Sequence, residues 1–322
     1  MSPWSVLLLA ATVHTAPLHA APRHTARHAA RHAAPLASPS QALSAADRDS
    51  LTRAITISRS SEQDELRDGA TSYLATILRV DFGDAPRLVV GSAPDCGVRV
   101  SDPDMPTHAL GVTVAGDSFR VASLEPGTTF RWKHAEYSSA TLGPSSIELG
   151  RWTLRLSHQR FPAIIVFDPR SPRRAQYKGR EYFPNDFTYR FVAPLRLASH
   201  PDTVIIQSTR GNLRRALRVG WFDLRIAGRP CRLEAHRLLE PGVDESSVSV
   251  FFRDATTGHT TYPVGRYVDP EAAGDGRWIV DFNAAYNPAC AFSPHYNCPI
   301  PTRANTLPVA IRTGEKDAHY AH

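Results

Sequence analysis

From Arg87 onward, apolar residues recur at every second position in short runs separated by glycine, proline and other turn-forming residues. Val98 and Val100, Val112 and Val114, Phe119 and Val121, Ile147 and Leu149, and Trp152, Leu154 and Leu156 follow this alternation. A period of two turns successive side chains to opposite faces, so each run predicts a strand with one buried face. Gly143-Pro144 and Leu149-Gly150-Arg151 read as turns. Ala163 to Phe167 is instead a continuous apolar run, the pattern of a strand covered on both faces.

Asp168 to Arg180 interrupts the alternation with prolines, a glycine and a basic cluster, and a second β series follows it. Phe187, Tyr189 and Phe191 alternate, as do Leu217, Val219 and Trp221, which lead on to Leu224 and Ile226. Ala227-Gly228-Arg229 then predicts a hairpin into Cys231, Leu233 and Ala235. Val248, Val250 and Phe252, then Ile279 to Phe282, and finally Val309 with Ile311 supply further strands. Numerous strands with little helical period between them predict a mainly β chain whose C-terminal part is a β-barrel or β-sandwich. Helix-like spacing occurs between Leu43 and Leu78, at Leu66, Tyr73, Leu74 and Ile77, where Gly69 interrupts it. One or two short helices are expected there.

The first residues differ in kind. Val6 to Val13 is an apolar run followed by small residues ending at Ala20 and Ala21, which predicts a signal peptide over residues 1–21 and export to the periplasm or outside the cell. Residues 22–42 are a low-complexity tether of Ala, His, Arg and Pro, with His24, His28 and His32 at a period that also suits metal binding on a helix. The expected organisation is therefore leader, tether, helices plus a first β domain over 43–168, a second β domain over 169–316, and a tail over 317–322.

With 42% hydrophobic and 21% charged residues, the 322-residue chain has the composition of a folded protein. Its net charge of +6 includes Arg23, Arg27 and Arg31, which lie in the tether without acidic neighbours. The rest of the chain is only weakly basic, and no nucleic-acid partner is expected. No later apolar run approaches the length that spans a bilayer. No G-x-S-x-G, P-loop or strand-linked dinucleotide fingerprint occurs, so no enzyme class is assigned.

Three long motifs carry a likeness: YKGREYFPNDF from Tyr177 to Phe187, FFRDATTGHTTYPVGRYV from Phe251 to Val268, and the segment from Asp281 to Lys316. They resemble the bacterial domain-of-unknown-function family 1684, which implies a domain but no activity. The segment LVVGSAPDCGVRVSDPDMPTHA, Leu88 to Ala109, resembles a forkhead-associated β-sandwich. That likeness implies a phosphothreonine-reading loop pair. Here Ser92 follows Gly91 and Pro106-Thr107-His108 forms the second loop, but the Arg fork that grips phosphate is missing, and His108 reads as a brace between loops.

The densest candidate chemistry is Asp281, Asn283, Tyr286, Asn287, Cys290, His295 and Cys298, in a segment stiffened by Pro288, Pro294, Pro299 and Pro301. Three readings stand side by side. Cys290 and Cys298 can form a short-loop disulfide; with His295 they can hold zinc, the alternative to having no cofactor; or Cys290 can be a thiolate nucleophile served by His295 or Asp281. A second group, Arg253, Asp254, Tyr262 and Arg266, surrounds a predicted hairpin turn. Arg253, Arg266, Asp281, Asn283 and Tyr286 are expected to converge on one pocket suited to a carboxylate or phosphate. The sequence thus points to an exported, non-catalytic protein that binds a small molecule or peptide through its C-terminal domain. A thiol- or metal-dependent enzyme centred on Cys290 is the alternative.

Overall fold

A single helix, Ala45–Asp68, precedes the strands in a computed structural model that describes residues 36–37, 43–158 and 160–318. The predicted signal peptide, its expected cleavage site and the expected His24, His28 and His32 face lie outside the described residues. The helix is one long element of 24 residues where one or two short ones were expected. Its start is fixed by a reciprocal cap: the Ser44 hydroxyl accepts the Asp47 amide at 3.1 Å, and the Asp47 carboxylate accepts the Ser44 amide at 3.3 Å. It ends at Gly69, whose amide still donates to the Glu65 carbonyl. Only Leu66 of the helix is buried, packed with Leu74, Ala291 and Phe292, so tertiary docking holds an element with almost no apolar stripe.

Two sheets make up the N-terminal β part of the chain. One has five strands in the order Val98–Arg99, Arg87–Gly91, Leu110–Ala115, Ser118–Ser123 and Ser139–Leu142. The other has six, in the order Thr76–Asp81, Pro162–Phe167, Trp152–His158, Ser145–Leu149, Phe130–Trp132 and Ala135–Tyr137. Val90, Val112, Phe119 and Val121 of the first meet Trp152, Leu154, Leu156 and Val166 of the second in one core. This is a β-sandwich. The expected alternation is realised: Leu154 and Leu156 point inward while Thr153 and Arg155 take the opposite face.

That opposite face is not solvent. Arg79 and Arg155 both pair with Ile165 across adjacent strands, so the three side chains form one row on the outer face of the six-stranded sheet. Ile165 and Phe167 on this face are 3% and 0% exposed, because the C-terminal part of the chain covers them. Tyr296 reaches across to Thr76 at 3.0 Å, and Arg210 to Asp81 at 2.9 Å.

Three sheets frame the C-terminal part. Arg190–Pro194, Arg277–Asp281 and Glu271–Gly274 form one; Arg196–Gln207, Leu213–Ile226 and Arg229–Leu238 form the second; Val250–Phe252 and Arg266–Val268 form the third. Among the described residues none closes into a barrel. Their apolar faces share a core that includes Phe191, Phe222, Leu224, Leu233, Phe252 and Phe282. The Ala227-Gly228 turn joins Ile226 to Arg229, with both turn residues at positive φ as this hairpin type requires. After Asp281 the chain runs on without regular strands, yet Phe282, Ala291, Phe292 and Ile311 on it are almost fully buried. Irregular backbone at that depth needs hydrogen-bond partners from side chains.

Candidate functional site

The polar motif residues supply those partners. Arg266 is 1% exposed and lies 3.1 Å from the Asp254 carboxylate. Its guanidinium also donates to the carbonyls of Thr313 at 2.6 Å, Ile311 at 2.8 Å and Glu315 at 3.2 Å. Asp254 in turn accepts the amides of Ile311 and Thr256. Asn283 accepts the Asp186 amide and donates to the Asp186 carbonyl and to Asp281. Asn287 donates from its side chain to the Lys316 carbonyl, and its amide donates to Glu315. Tyr262 donates to the Cys290 carbonyl at 3.0 Å, and Arg253 to the Val264 carbonyl at 2.9 Å.

These contacts engage Arg253, Arg266, Asp281 and Asn283, four of the five residues expected to share a pocket, with partners inside the fold, and Thr313 links Arg266 to Asn283. Arg253 and Arg266 are turned to backbone acceptors around the Asp254 turn, while Asp281 and Asn283 brace the turn that carries Asp186. Asn283 and Tyr286 share a small recess of about 70 Å³ with Arg59 and Tyr182. Of the eight residues proposed as ligand contacts, Tyr286 also lines a larger cleft.

Cys290 and Cys298 are neighbours and both are free thiols, so the expected bridge is not formed. The Cys290 amide donates to the Cys298 sulfur at 3.3 Å. Hydrogen bonds close the loop instead: the amide of Cys298 donates to the Thr209 hydroxyl and the amide of Thr209 to the Cys298 carbonyl, both at 3.0 Å. Contact with the partner sulfur holds the Cys290 thiol below its ordinary range, and that same contact, with burial, pushes the Cys298 thiol up. His295 does not complete a metal set with them; among the described residues the ligand atoms of three His, Cys or carboxylate groups gather within 4.8 Å only at Asp95, Cys96 and His108. Burial, with Arg173, Arg210 and Arg79 nearby, lowers the His295 pKa.

The cleft itself has a volume of about 250 Å³ and lies where the outer face of the six-stranded sheet meets the Tyr286–Pro299 segment. The sheet contributes Arg79, Arg155 and Ser157; the other wall contributes Tyr267, Tyr286, Tyr296 and Cys298. Tyr73 and Arg155 also border a neighbouring cavity of about 500 Å³ lined by Glu62, Glu65 and Arg180 of the helix side. Most polar groups here are engaged. Arg79 is paired with Asp81 at 2.8 Å, Arg214 with Glu240 at 3.0 Å, and the Tyr286 hydroxyl donates to Asp269 at 2.8 Å.

Arg155 is the exception. Its guanidinium lies 4.8 Å from the Phe167 ring centroid, and among the described residues it has no ion pair or hydrogen bond. The hydroxyls of Tyr73 and Ser157, on the same cleft, are likewise without hydrogen-bond partners among the described residues. Burial pushes the Tyr296 hydroxyl up to about 12 and raises Tyr73, so both stay protonated donors at neutral pH. Sequence reasoning missed Arg155 because it occupies the polar phase of an alternating strand; the continuous run beside it, Ala163 to Phe167, was the signal that this face is covered.

Residues 175–316 match the family described as protein of unknown function DUF1684. The C-terminal part of the chain belongs to this family. The solution NMR structure of an uncharacterized protein from Haloarcula marismortui is 33% identical, over 44% of this chain and 78% of that one, with a TM-score of 0.38. A search of curated proteins finds no match. Tyr267, Tyr286, Tyr296 and Cys298 of the cleft fall inside the DUF1684 domain, whereas Tyr73, Arg79, Arg155 and Ser157 precede it.

Proposed function

We propose that this protein is an exported, non-catalytic binding protein for a small anionic ligand, and that the ligand sits in the cleft between the sandwich and the DUF1684 domain. The observation that carries the reading is Arg155, a cation without a counter-ion among the described residues, beside two unused hydroxyl donors and a wall of tyrosines. A planar guanidinium with neighbouring hydroxyls suits a carboxylate or phosphate, while the tyrosine wall suits an apolar or aromatic body. Export follows from the apolar run and small residues at the start of the chain. In this reading the likeness of Leu88–Ala109 to a forkhead-associated domain marks a scaffold; its phosphate-gripping Arg fork is missing.

A thermal-shift screen of small carboxylates and phosphates, each beside its neutral amide or alcohol, tests the proposal. Ligand at one hundred times its Kd stabilises by about 2.7 kcal/mol, enough to raise Tm by several degrees. The anion should shift Tm where its neutral counterpart does not. Equal shifts, or none across the panel, would remove the basis for an anion site.

A thiol-dependent reading draws support from Cys298 on the cleft wall. Against it, Cys290 and Cys298 are only 4% and 6% exposed, which disfavours a nucleophile that substrate must reach. Rapid alkylation of either thiol in the native protein would reverse that preference.

A further inference from the structure

We propose that Asp95, Cys96 and His108, at one end of the N-terminal sandwich, form a binding site for a divalent transition metal of the kind that zinc represents. The site is separate from the cleft and from the Cys290 segment, and nothing in the family match reaches it.

The ligand atoms of the three side chains all lie within 4.8 Å of one another. His108 Nε2 is 2.9 Å and 3.0 Å from the two Asp95 carboxylate oxygens. Zinc bonds of about 2.3 Å to sulfur and about 2.0 Å to nitrogen or oxygen place tetrahedral ligands roughly 3.5 Å apart. Closing the 4.8 Å span to roughly 3.5 Å, a contraction of about 1.3 Å, would meet that geometry. Asp95, with its side chain 75% exposed against 39% for His108, has the most room to adjust.

The remaining parts of the site are held in place. Asp95 and Cys96 lie on the loop after strand Arg87–Gly91, and His108 lies just before strand Leu110–Ala115. The two loops are tied by Ser92 and Ala93 amides donating to the Pro106 and Thr107 carbonyls at 3.0 and 3.1 Å. The His108 amide donates to Glu125 at 2.5 Å. Gly91 permits the close approach: a Cβ there would fall 2.9 Å from the Cys96 sulfur.

Cys96 is 6% exposed but belongs to none of the hydrophobic clusters, and its sulfur is turned to the Thr107 carbonyl at 3.3 Å. A divalent ion would draw the thiol sulfur and the adjacent carboxylate to one charge. Half-exposed His108 leaves an approach from solvent, and three protein ligands leave a fourth position for water.

The test is a titration of the full-length, chelator-treated protein with Zn(II) against a chromophoric competitor, and in parallel with Co(II) followed by absorption. The proposal expects a sulfur-to-cobalt charge-transfer band, which the histidines of the tether cannot produce. Cys96→Ser should abolish the band, while Cys290→Ser/Cys298→Ser should retain it. Asp95→Asn and His108→Gln change exposed or half-exposed groups and should leave the fold intact by circular dichroism. Each should weaken zinc binding by at least about tenfold. Absence of the band, its loss in the Cys290/Cys298 variant alone, or unchanged affinity in both Asp95→Asn and His108→Gln would overturn the proposal.

Discussion

Replacing Arg266 by Met tests whether the polar motif of the DUF1684 domain is a brace for buried backbone. Methionine fills much of the same space but leaves the Asp254 side chain, 0% exposed, without its cation. It also removes the donor from the carbonyls of Ile311, Thr313 and Glu315. Removing one partner of a buried pair costs about 3–5 kcal/mol, because an uncompensated charge remains inside. Asp254 keeps the Ile311 amide at 2.7 Å and the Thr256 amide at 3.0 Å, which holds the loss within that range instead of above it. Urea unfolding followed by circular dichroism should show the midpoint falling with an unchanged slope. Adding Asp254→Asn should recover part of the loss, since it removes the stranded charge. A loss below about 1 kcal/mol, the scale of an exposed pair, would refute the brace.

Three further outcomes follow from the same geometry. Burial raises the Glu315 pKa from 4.5 to about 7 despite Arg180 and the Asn287 amide, so the unfolded chain releases this proton at lower pH than the native one. Stability should therefore fall by about 3 kcal/mol as pH rises from about 4.5 to about 7, and Glu315→Gln should flatten that part of the profile; parallel profiles would contradict it. Asn305 donates to the Glu234 and Phe251 carbonyls and accepts the Glu234 amide, so Asn305→Ala should cost at least about 2 kcal/mol in urea unfolding. Thiol titration in denaturant without reductant should count four free thiols, all slow to react in the native state; a lower count would show that oxidation has closed a bridge.

Most of the strand pattern was legible because each alternating run has one face on a core. Trp152, Leu154 and Leu156 are buried, as are Leu224, Ile226, Leu233 and Ala235 in the second series. The helix was under-read for a physical reason: capping at Ser44 and exposed pairs such as Arg67 with Asp64 support it, and it buries only Leu66. The candidate site was largely illegible. Asn283, Asn287, Asp254 and Arg266 have the composition of a binding site, but a buried irregular segment recruits the same residue types to satisfy its own backbone. Arg155, conversely, has the look of a solvated strand position, and only the covering domain makes it part of a cleft.

In the proposed site Arg155 gives the cleft its affinity for an anion. Calorimetric titration of the best-bound anion into wild type and Arg155→Gln decides it, with unfolding measured on both so that binding and stability are read apart. The variant should keep its fold and lose roughly 1.5–3 kcal/mol of binding, the value of a charge-assisted hydrogen bond, which is at least about a tenfold rise in Kd. An unchanged Kd in a folded variant would place the ligand elsewhere and contradict it.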